Sequence, residues 1–287
     1  MSDRAASPVR EALAAATDAL AAAGVATPRL DAELLFAEAT GRDRAAQAAD
    51  PDLPVDPSAA RRFGEAVRRR VRREPVAYIL GRKGFRRIEL EVDARVLIPR
   101  PETEHLVEVA VERQPLAALD VGTGSGAVAL AIADELPACE VVATDTSPGA
   151  LELAAANARR LGLADRVRFA AGSLPASGSF DLLLANLPYV SEPEWRGLEP
   201  ELRDHEPREA LVAGPTGLEA IDRLLGELSV ARDLAAAAVA LEVGEGQAAS
   251  VAELVRRAGF ERVESRPDMA GIDRVVVGAL ATASVPA

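Results

Sequence analysis

The chain has 287 residues, 49% of them hydrophobic, enough to fill one large core or two modest ones. A single cysteine, Cys139, excludes a disulfide framework and a thiolate metal cluster; two histidines, His105 and His205, with no HxxxH or HExxH spacing, argue against a metal enzyme. The net charge of −12 is unevenly spread: residues 1–100 carry 18 Lys+Arg against 15 Asp+Glu and residues 101–287 carry 15 against 30, which favours two domains with different partners.

The N-terminal stretch MSDRAASPVREALAAATDALAAAG has no unbroken apolar run and no cleavage signature, and nothing later approaches the roughly 20 apolar residues that span a bilayer. The expected setting is reducing and cytoplasmic, with no membrane partner. Within that stretch, Val9, Leu13, Ala16 and Leu20 recur at spacings of three and four, predicting an amphipathic helix that Gly24 stops. PRLDAELLFAEATG predicts a second helix, with Pro28 in its first turn and Gly41 at its end. DLPVDP (Asp52 to Pro57) breaks the pattern, and SAARRFGEAVRRRVRRE returns to helix. Residues 1–75 are thus expected to form a small helical bundle.

The last of these helices carries Arg61, Arg62, Arg68, Arg69, Arg70, Arg72 and Arg73. Two readings stand. One is a solvated face, with Phe63, Val67 and Val71 turned inward, and it is the favoured one. The other is a docking surface for an acidic partner or for RNA.

Residues 76–98 alternate apolar and polar around Gly81 and Gly84, which reads as a β-hairpin linker. A helix is expected behind Pro101. From 116 onward strands and helices alternate. The strands are LAALDV (116–121), CEVVAT (139–144), VRFA (167–170), FDLLLAN (180–186), AVALEV (238–243), FERVES (260–265) and DRVVVGA (273–279). Helices fall at about 126–136, 148–161, 218–235 and 246–258. Continuous apolar strands suit a parallel sheet covered on both faces, and the alternation implies a doubly wound α/β domain over residues 99–287. The tail ATASVPA is expected to fray.

DVGTGSGAVALAIA (Asp120 to Ala133) reads as strand, glycine turn and helix. Gly122, Gly124 and Gly126 allow a sharp turn and close approach of a ligand, and the helix behind them offers free N–H groups to an anion. Two nucleoside ligands compete. Gly122, Gly124 and Ala127 nominally satisfy the dinucleotide pattern G-x-G-x-x-G/A, whereas Asp120 with all three glycines satisfies D-x-G-x-G-x-G, the pattern for S-adenosylmethionine. Asp145 ends the next strand, where a carboxylate accepts bonds from ribose hydroxyls; either ligand needs it. Ser147 is the better N-cap for the helix that follows.

ANLPYV (Ala185 to Val190) lies where the fourth strand ends, at the sheet edge where such domains bind ligands. There Asn186 can offer a side-chain oxygen and Leu187 a backbone carbonyl, while Pro188 pins the chain and Tyr189 supplies a flat wall. Two acceptors and a stacking face make a cage for a planar –NH2 group, as in methylation of an amide or an exocyclic amine. Both nitrogens are poor nucleophiles, because their lone pairs are delocalised; acceptors on their hydrogens return electron density to them. The bland alternative is a strand-ending turn with Asn186 as a local backbone acceptor.

Seven stretches resemble the release-factor N5-glutamine methyltransferases of the HemK/PrmC type: PVAYILGRKGF, VLIPRPETEHLVE, LDVGTGSGAVALAIA, ANLPYV, HEPREALVAGPTGLEAIDRLL, LEVGEGQAASVAELVRRAGF and DMAGIDRVVVG. LIPRPETE ahead of the glycine loop is the specific block among them. The resemblance implies a seven-stranded Rossmann-like S-adenosylmethionine-dependent methyltransferase domain, a helical substrate-docking domain (1–75) and the hairpin linker (76–98). It implies methylation, with S-adenosyl-L-methionine, of the glutamine in the Gly-Gly-Gln loop of class I peptide chain release factors. The family's Asn-Pro-Pro-Tyr maps onto Asn186, Leu187, Pro188 and Tyr189 as catalytic and substrate-binding residues. Its cofactor site maps onto Asp120, Gly122, Thr123, Gly124, Gly126, Asp145, Ser173 and Asn186. The PRPETE loop suggests substrate roles for Arg100 and Glu102.

Three departures stand out. Leu187 replaces the family's first proline, at a position that acts through its carbonyl. Gly84-Phe85-Arg86 stands where the family often has Glu-Phe-Trp. Gly172-Ser173 stands where methyltransferases of this shape often place an Asp for the adenine amine. Asn-Leu-Pro-Tyr is also what rRNA adenine dimethyltransferases carry, so an rRNA adenine N6-methyltransferase is a rival reading; the acidic 101–287 half counts against it, because phosphate contacts dominate nucleic-acid affinity. A ribosomal-protein glutamine methyltransferase would share the chemistry. A dinucleotide-dependent oxidoreductase leaves Asn186 and Tyr189 unexplained.

Overall fold

The computed structural model describes residues 7–281, so the expected fraying of the tail falls, but for Ala281, outside the described residues. The chain divides into two compact units. One comprises residues up to Gly81 together with Pro200–His205; the other runs from Arg82 to Glu199 and from Glu206 onward.

The first unit is helical. Val9–Ala22 buries Val9, Leu13, Ala16 and Leu20, the four residues its periodicity singles out. Pro28–Thr40 follows, closed by Gly41 at φ 71°, and then Arg44–Ala49 and Pro57–Val71. Asp56 caps the last of these by accepting from the N–H groups of Ser58 and Ala59. Phe36 and Phe63 meet edge to face at 5.2 Å in the core, beside Leu20 and Leu35.

The arginine-rich helix departs from the solvated-face reading. Val71 is exposed, whereas Arg70 is buried and bonds Asp31 at 2.7 Å and Glu201 at 2.7 Å. Arg73 forks onto Glu201, and Arg69 onto Glu74. A buried guanidinium needs carboxylates around it, and Asp31 and Glu201 supply them. Burial raises the Glu201 carboxyl, but Arg73 and Arg70 outweigh it and hold the group below its ordinary value.

Residues 76–80 form a turn of helix, not the first strand of a hairpin; Gly81, at φ 71°, ends it. The hairpin itself is shorter, Arg82–Phe85 against Ile88–Glu91, with Arg86 at φ 50° in its two-residue turn.

The second unit is built on seven strands: β1 (Ala117–Val121), β2 (Glu140–Asp145), β3 (Val167–Ala171), β4 (Leu182–Ala185), β5 (Ala238–Glu242), β6 (Arg262–Pro267) and β7 (Asp273–Ala279). Their order is β6-β7-β5-β4-β1-β2-β3. The doubly wound expectation holds, but the sheet is mixed, because β7 runs antiparallel to both β5 and β6. A tight turn forces this: the Asp268 carboxylate accepts from Ala270 and Ile272 N–H, and so short a connection can join only antiparallel strands.

Alternate residues of each strand serve opposite faces. Leu182 and Leu184 pack with Leu106, Leu130 and Ile132 on one side; Leu183 and Ala185 pack with Leu224, Leu225 and Val251 on the other. Each fully buried leucine contributes about 1.5–3 kcal/mol relative to exposure.

FDLLLAN is two strands, not one. Gly178–Phe180 pairs separately with Leu234–Ala236, and Asp181 breaks the run because its carboxylate accepts from Leu116 and Ala117 N–H. For the same reason the helix expected to reach 235 ends at Val230. Among the described residues no helix is long and apolar enough to cross a membrane.

Candidate active site

Strand order reverses beside β1: β2 lies on one side of it and β4 on the other. At such a switch point the carboxyl ends of the strands splay and leave a crevice. Four polar residues stand at those ends: Asp120 on β1, Asp145 on β2, Asn186 just past β4 and Glu242 on β5. A cavity of about 400 Å³ opens there, and its walls include Asp120, the loop Gly122–Ser125, Asp145, Gly172, Ser173, Asn186, Leu187 and Pro188.

The glycine loop crosses the end of β2. Gly122 and Thr123 donate to Thr144 O, both at 2.9 Å, and Gly124 N–H donates to the Asp145 carboxylate at 2.9 Å. Gly122 has φ 73° and lies against Leu187, whose Cδ2 would be 3.0 Å from an added Cβ. At Gly126, φ 86°, an added Cβ would press Leu130 at 2.9 Å and Ala154 at 3.3 Å, so this position sets how closely the helix Ala127–Glu135 packs.

Asp120 is buried. Its Oδ2 accepts from the Thr123 hydroxyl at 2.6 Å and from Ala129 N–H at 3.1 Å, which ties the loop to that helix. Burial pushes its carboxyl up to about 6, the nearby Asp145 charge adds to this, and the Thr123 and Ala129 bonds oppose it. Asp145 accepts from Gly124 and Ser147 N–H, one on each oxygen. A carboxylate oxygen has two lone pairs, so each retains one for a ligand hydroxyl. Ser147 caps its helix through Ala150 N–H, as its position implies. Ser173 lines the cavity, and its carbonyl accepts from the Thr144 hydroxyl.

Asn186 donates its Nδ2–H to Thr103 Oγ1 at 2.9 Å. That bond engages the nitrogen end of the amide, and Asn186 lines the cavity. Thr103 sits in the 3-10 turn Pro101–Thr103 and is 4% exposed.

Two family matches agree with this layout: residues 11–81 match the PrmC N-terminal domain, and residues 118–205 a methyltransferase domain. The release factor glutamine methyltransferase of Nitratidesulfovibrio vulgaris is 42% identical over 267 residues, covering 90% of each chain. That of Moorella thermoacetica is 42% identical over 275 residues, covering 93% of this chain and 96% of its own. The chain belongs to the release factor glutamine methyltransferase family. Solved structures share the fold over about two thirds of the chain: the hMettl16 catalytic domain, at TM-score 0.55 and 17% identity over 69% of this chain and 77% of that one, and a methyltransferase from Pyrococcus furiosus, at 0.50 and 20% over 66% and 87%. The resemblance read from LIPRPETE and its companion stretches therefore holds across the chain.

Not every site residue of this methyltransferase read from the sequence reaches the cavity wall. Asn186, Leu187 and Pro188 do, whereas Gly126, Tyr189, Arg100 and Glu102 stand off it. Tyr189 is largely buried, its carbonyl accepts from Gln247 Nε2–H at 2.9 Å, and its ring lies against Gly244. Burial pushes its phenol up to about 12, the negative charges of Glu242 and Glu102 add to this, and Arg100 and Arg274 oppose it. Arg100 is held by Glu206, whose second oxygen accepts from Ile98 N–H at 3.1 Å.

Sequence reading missed Thr103, Glu206, Glu242 and Gln247. The advance signal was that all four fall inside stretches that carry the resemblance: Thr103 in VLIPRPETEHLVE, Glu206 in HEPREALVAGPTGLEAIDRLL, and Glu242 and Gln247 in LEVGEGQAASVAELVRRAGF. Among the described residues no group of His, Cys, Asp and Glu forms a metal site.

Proposed function

We propose that this enzyme transfers a methyl group from S-adenosyl-L-methionine to the side-chain amide nitrogen, N5, of the glutamine in the Gly-Gly-Gln loop of class I release factors. The setting is the cytoplasm, and the modification supports translation termination. The observation that carries the reading is the Asn186 amide, on the cavity wall with its nitrogen end tied to Thr103.

The residues present suit the cofactor. Asp145 keeps one acceptor site on each oxygen for ribose hydroxyls. The glycine loop offers backbone without side chains along one wall, Ser173 offers a hydroxyl on another, and about 400 Å³ accommodates a nucleoside with an amino-acid tail. When bound, the group supplies an electrophilic methyl on a cationic sulfur. The chain supplies the rest. Asn186 Oδ1 and the Leu187 carbonyl accept the two N–H bonds of the glutamine amide, which draws its nitrogen away from planarity. As that nitrogen becomes positive the same acceptors bind it more strongly, so their effect grows towards the transition state. Pro188 fixes the turn that holds both. The helical unit is assigned to docking of the protein substrate.

The test is mass spectrometry of a class I release factor after incubation with the enzyme and S-adenosyl-L-methionine. The expected result is a mass gain of one methyl group on the peptide carrying the loop glutamine. Methylation of rRNA or of a ribosomal protein, with the release factor unchanged, overturns the reading.

A further inference from the structure

The turn that carries Asn186 and the Leu187 carbonyl is anchored at both ends. Upstream, Ala185 pairs with Leu241 in the sheet, and Asn186 donates to Thr103. Downstream, Val190 N–H donates to Leu211 O at 2.9 Å, and the Tyr189 carbonyl accepts from Gln247 Nε2–H at 2.9 Å. Between these anchors the family's pattern has two prolines and this chain has one, Pro188. The Leu187 backbone therefore keeps a rotation that a proline ring would remove, and the anchors must restrain it.

Gln247 stands immediately before the helix Ala248–Arg257. Its Oε1 accepts from Gly244 N–H at 3.0 Å, which commits the other end of the amide, the –NH2, to Tyr189 O. Two glycines make room for the contact. A Cβ at Gly217 would overlap the Tyr189 oxygen and lie 2.8 Å from Gln247 Nε2. One at Gly244 would lie 3.0 Å from Gln247 Oε1 and 3.1 Å from the Tyr189 ring. Three loops thus meet at one side-chain amide: the turn after β4, the loop around Gly217 and the loop after β5. The contact needs a donor and an acceptor on one long side chain. Glutamate has no donor, and asparagine is one methylene shorter.

We propose that Gln247 is a positioning residue for methyl transfer. It holds the Tyr189 carbonyl, and through the short step across Pro188, whose φ its ring fixes, it sets the direction of the Leu187 carbonyl. That carbonyl is one of the two acceptors assigned to the substrate amide. The inference rests on the functional reading above and deepens it.

The experiment compares wild type with Gln247→Glu, Gly217→Ala and Gly162→Ala. Gln247→Glu keeps the acceptor for Gly244 N–H and sets an oxygen against the Tyr189 carbonyl. Gly217 and Gly162 have φ 82° and 72°, so alanine strains the backbone similarly at each, but an added Cβ at Gly162 has nothing within 4 Å. In methyl transfer to a release factor, Gln247→Glu should lower kcat about tenfold, the worth of one oriented hydrogen bond, with S-adenosylhomocysteine affinity within about threefold of wild type. Gly217→Ala should show the same split. Gly162→Ala should melt lower than wild type and keep its kcat. A Gln247→Glu kcat equal to wild type, or a Gly162→Ala kcat that falls as far as that of Gly217→Ala, overturns the assignment.

A second readout needs no methyl acceptor. In the S-adenosylhomocysteine complex, hydrogen exchange at the Val190 amide should be faster in Gln247→Glu and Gly217→Ala than in wild type, and unchanged in Gly162→Ala. Equal protection in Gln247→Glu and wild type means that Gln247 does not hold the turn, and the inference fails. Faster exchange in Gln247→Glu, in an enzyme whose wild type transfers no methyl group to the release factor, supports the anchor and overturns the functional reading instead.

Discussion

A primary amide on a substrate and a primary amide on an enzyme meet productively in one orientation, the oxygen of one against the N–H of the other. Asn186→Ala removes the acceptor, so kcat should fall by about 100-fold or more, as for deletion of one transition-state hydrogen-bond partner, while S-adenosylhomocysteine affinity stays nearly unchanged. Calorimetry and single-turnover kinetics check the two halves separately, and a parallel collapse of affinity would show that Asn186 serves the cofactor instead. Asp145→Ala should do the reverse. It should weaken cofactor binding by at most a few kcal/mol, the scale of hydrogen bonds to a charged group, with a smaller effect on the chemical step. Glu242 makes a separate prediction about stability. Its carboxyl is raised from 4.5 to about 7, so between those values the folded chain holds a proton that the unfolded chain releases. Stability contributed by this group is full at low pH, declines across that window and stays low above it. Glu242→Gln should therefore melt higher than wild type above about pH 7 and show no such advantage near pH 4.5, as read by calorimetry at both. At this scale legibility followed chain distance. Asp120, Asp145 and Asn186 are readable because each lies next to a motif in the chain, at a strand end with a glycine or proline beside it. Thr103 meets Asn186 across 83 residues and Glu206 meets Arg100 across 106, and no local pattern records either pairing.

Elements are legible where their periodicity reflects burial. Val9–Ala22 and the apolar strands fall into place because a face that must leave water leaves a pattern. The misreadings come from single polar groups that override such a pattern. Asp181 cuts an apolar run by capping two backbone N–H groups, and Arg70 turns inward because Asp31 and Glu201 receive it. Arg70→Ala leaves Asp31 buried without that cation, so the helical unit should lose about 3 kcal/mol or more in denaturant melts, as for a broken buried ion pair. A loss below about 1 kcal/mol would place the network among the weak surface pairs. The glycine loop offers a sharper case. Gly126→Ala strains a position at φ 86° and presses a methyl on Leu130 and Ala154. It should cost about 1–3 kcal/mol in thermal stability and weaken S-adenosylhomocysteine, because the loop moves with its helix.

For the molecule as a whole, charge distribution separates protein from nucleic acid as a substrate. Binding a polyanion depends on cations that release its counterions, and the chain from residue 101 onward carries 15 Lys+Arg against 30 Asp+Glu. The arginine-dense helix and the residues that follow it spend much of their charge internally. Arg70 and Arg73 bond Glu201, Arg69 bonds Glu74, and Arg62 donates to the Ala39 carbonyl. A helix whose cations already hold carboxylates has fewer to offer phosphates. The chain should therefore bind an rRNA fragment no more tightly than about 10⁻⁵ M at physiological salt, and excess RNA should not slow methylation of a release factor. Fluorescence anisotropy across a salt series gives the first measurement, and a competition assay gives the second. Submicromolar binding with a steep dependence on salt would mean that phosphates find a cationic track the ion pairing leaves intact. The cage around Asn186 would then have to be tested against an exocyclic adenine amine, a planar –NH2 group that its two acceptors would hold equally well.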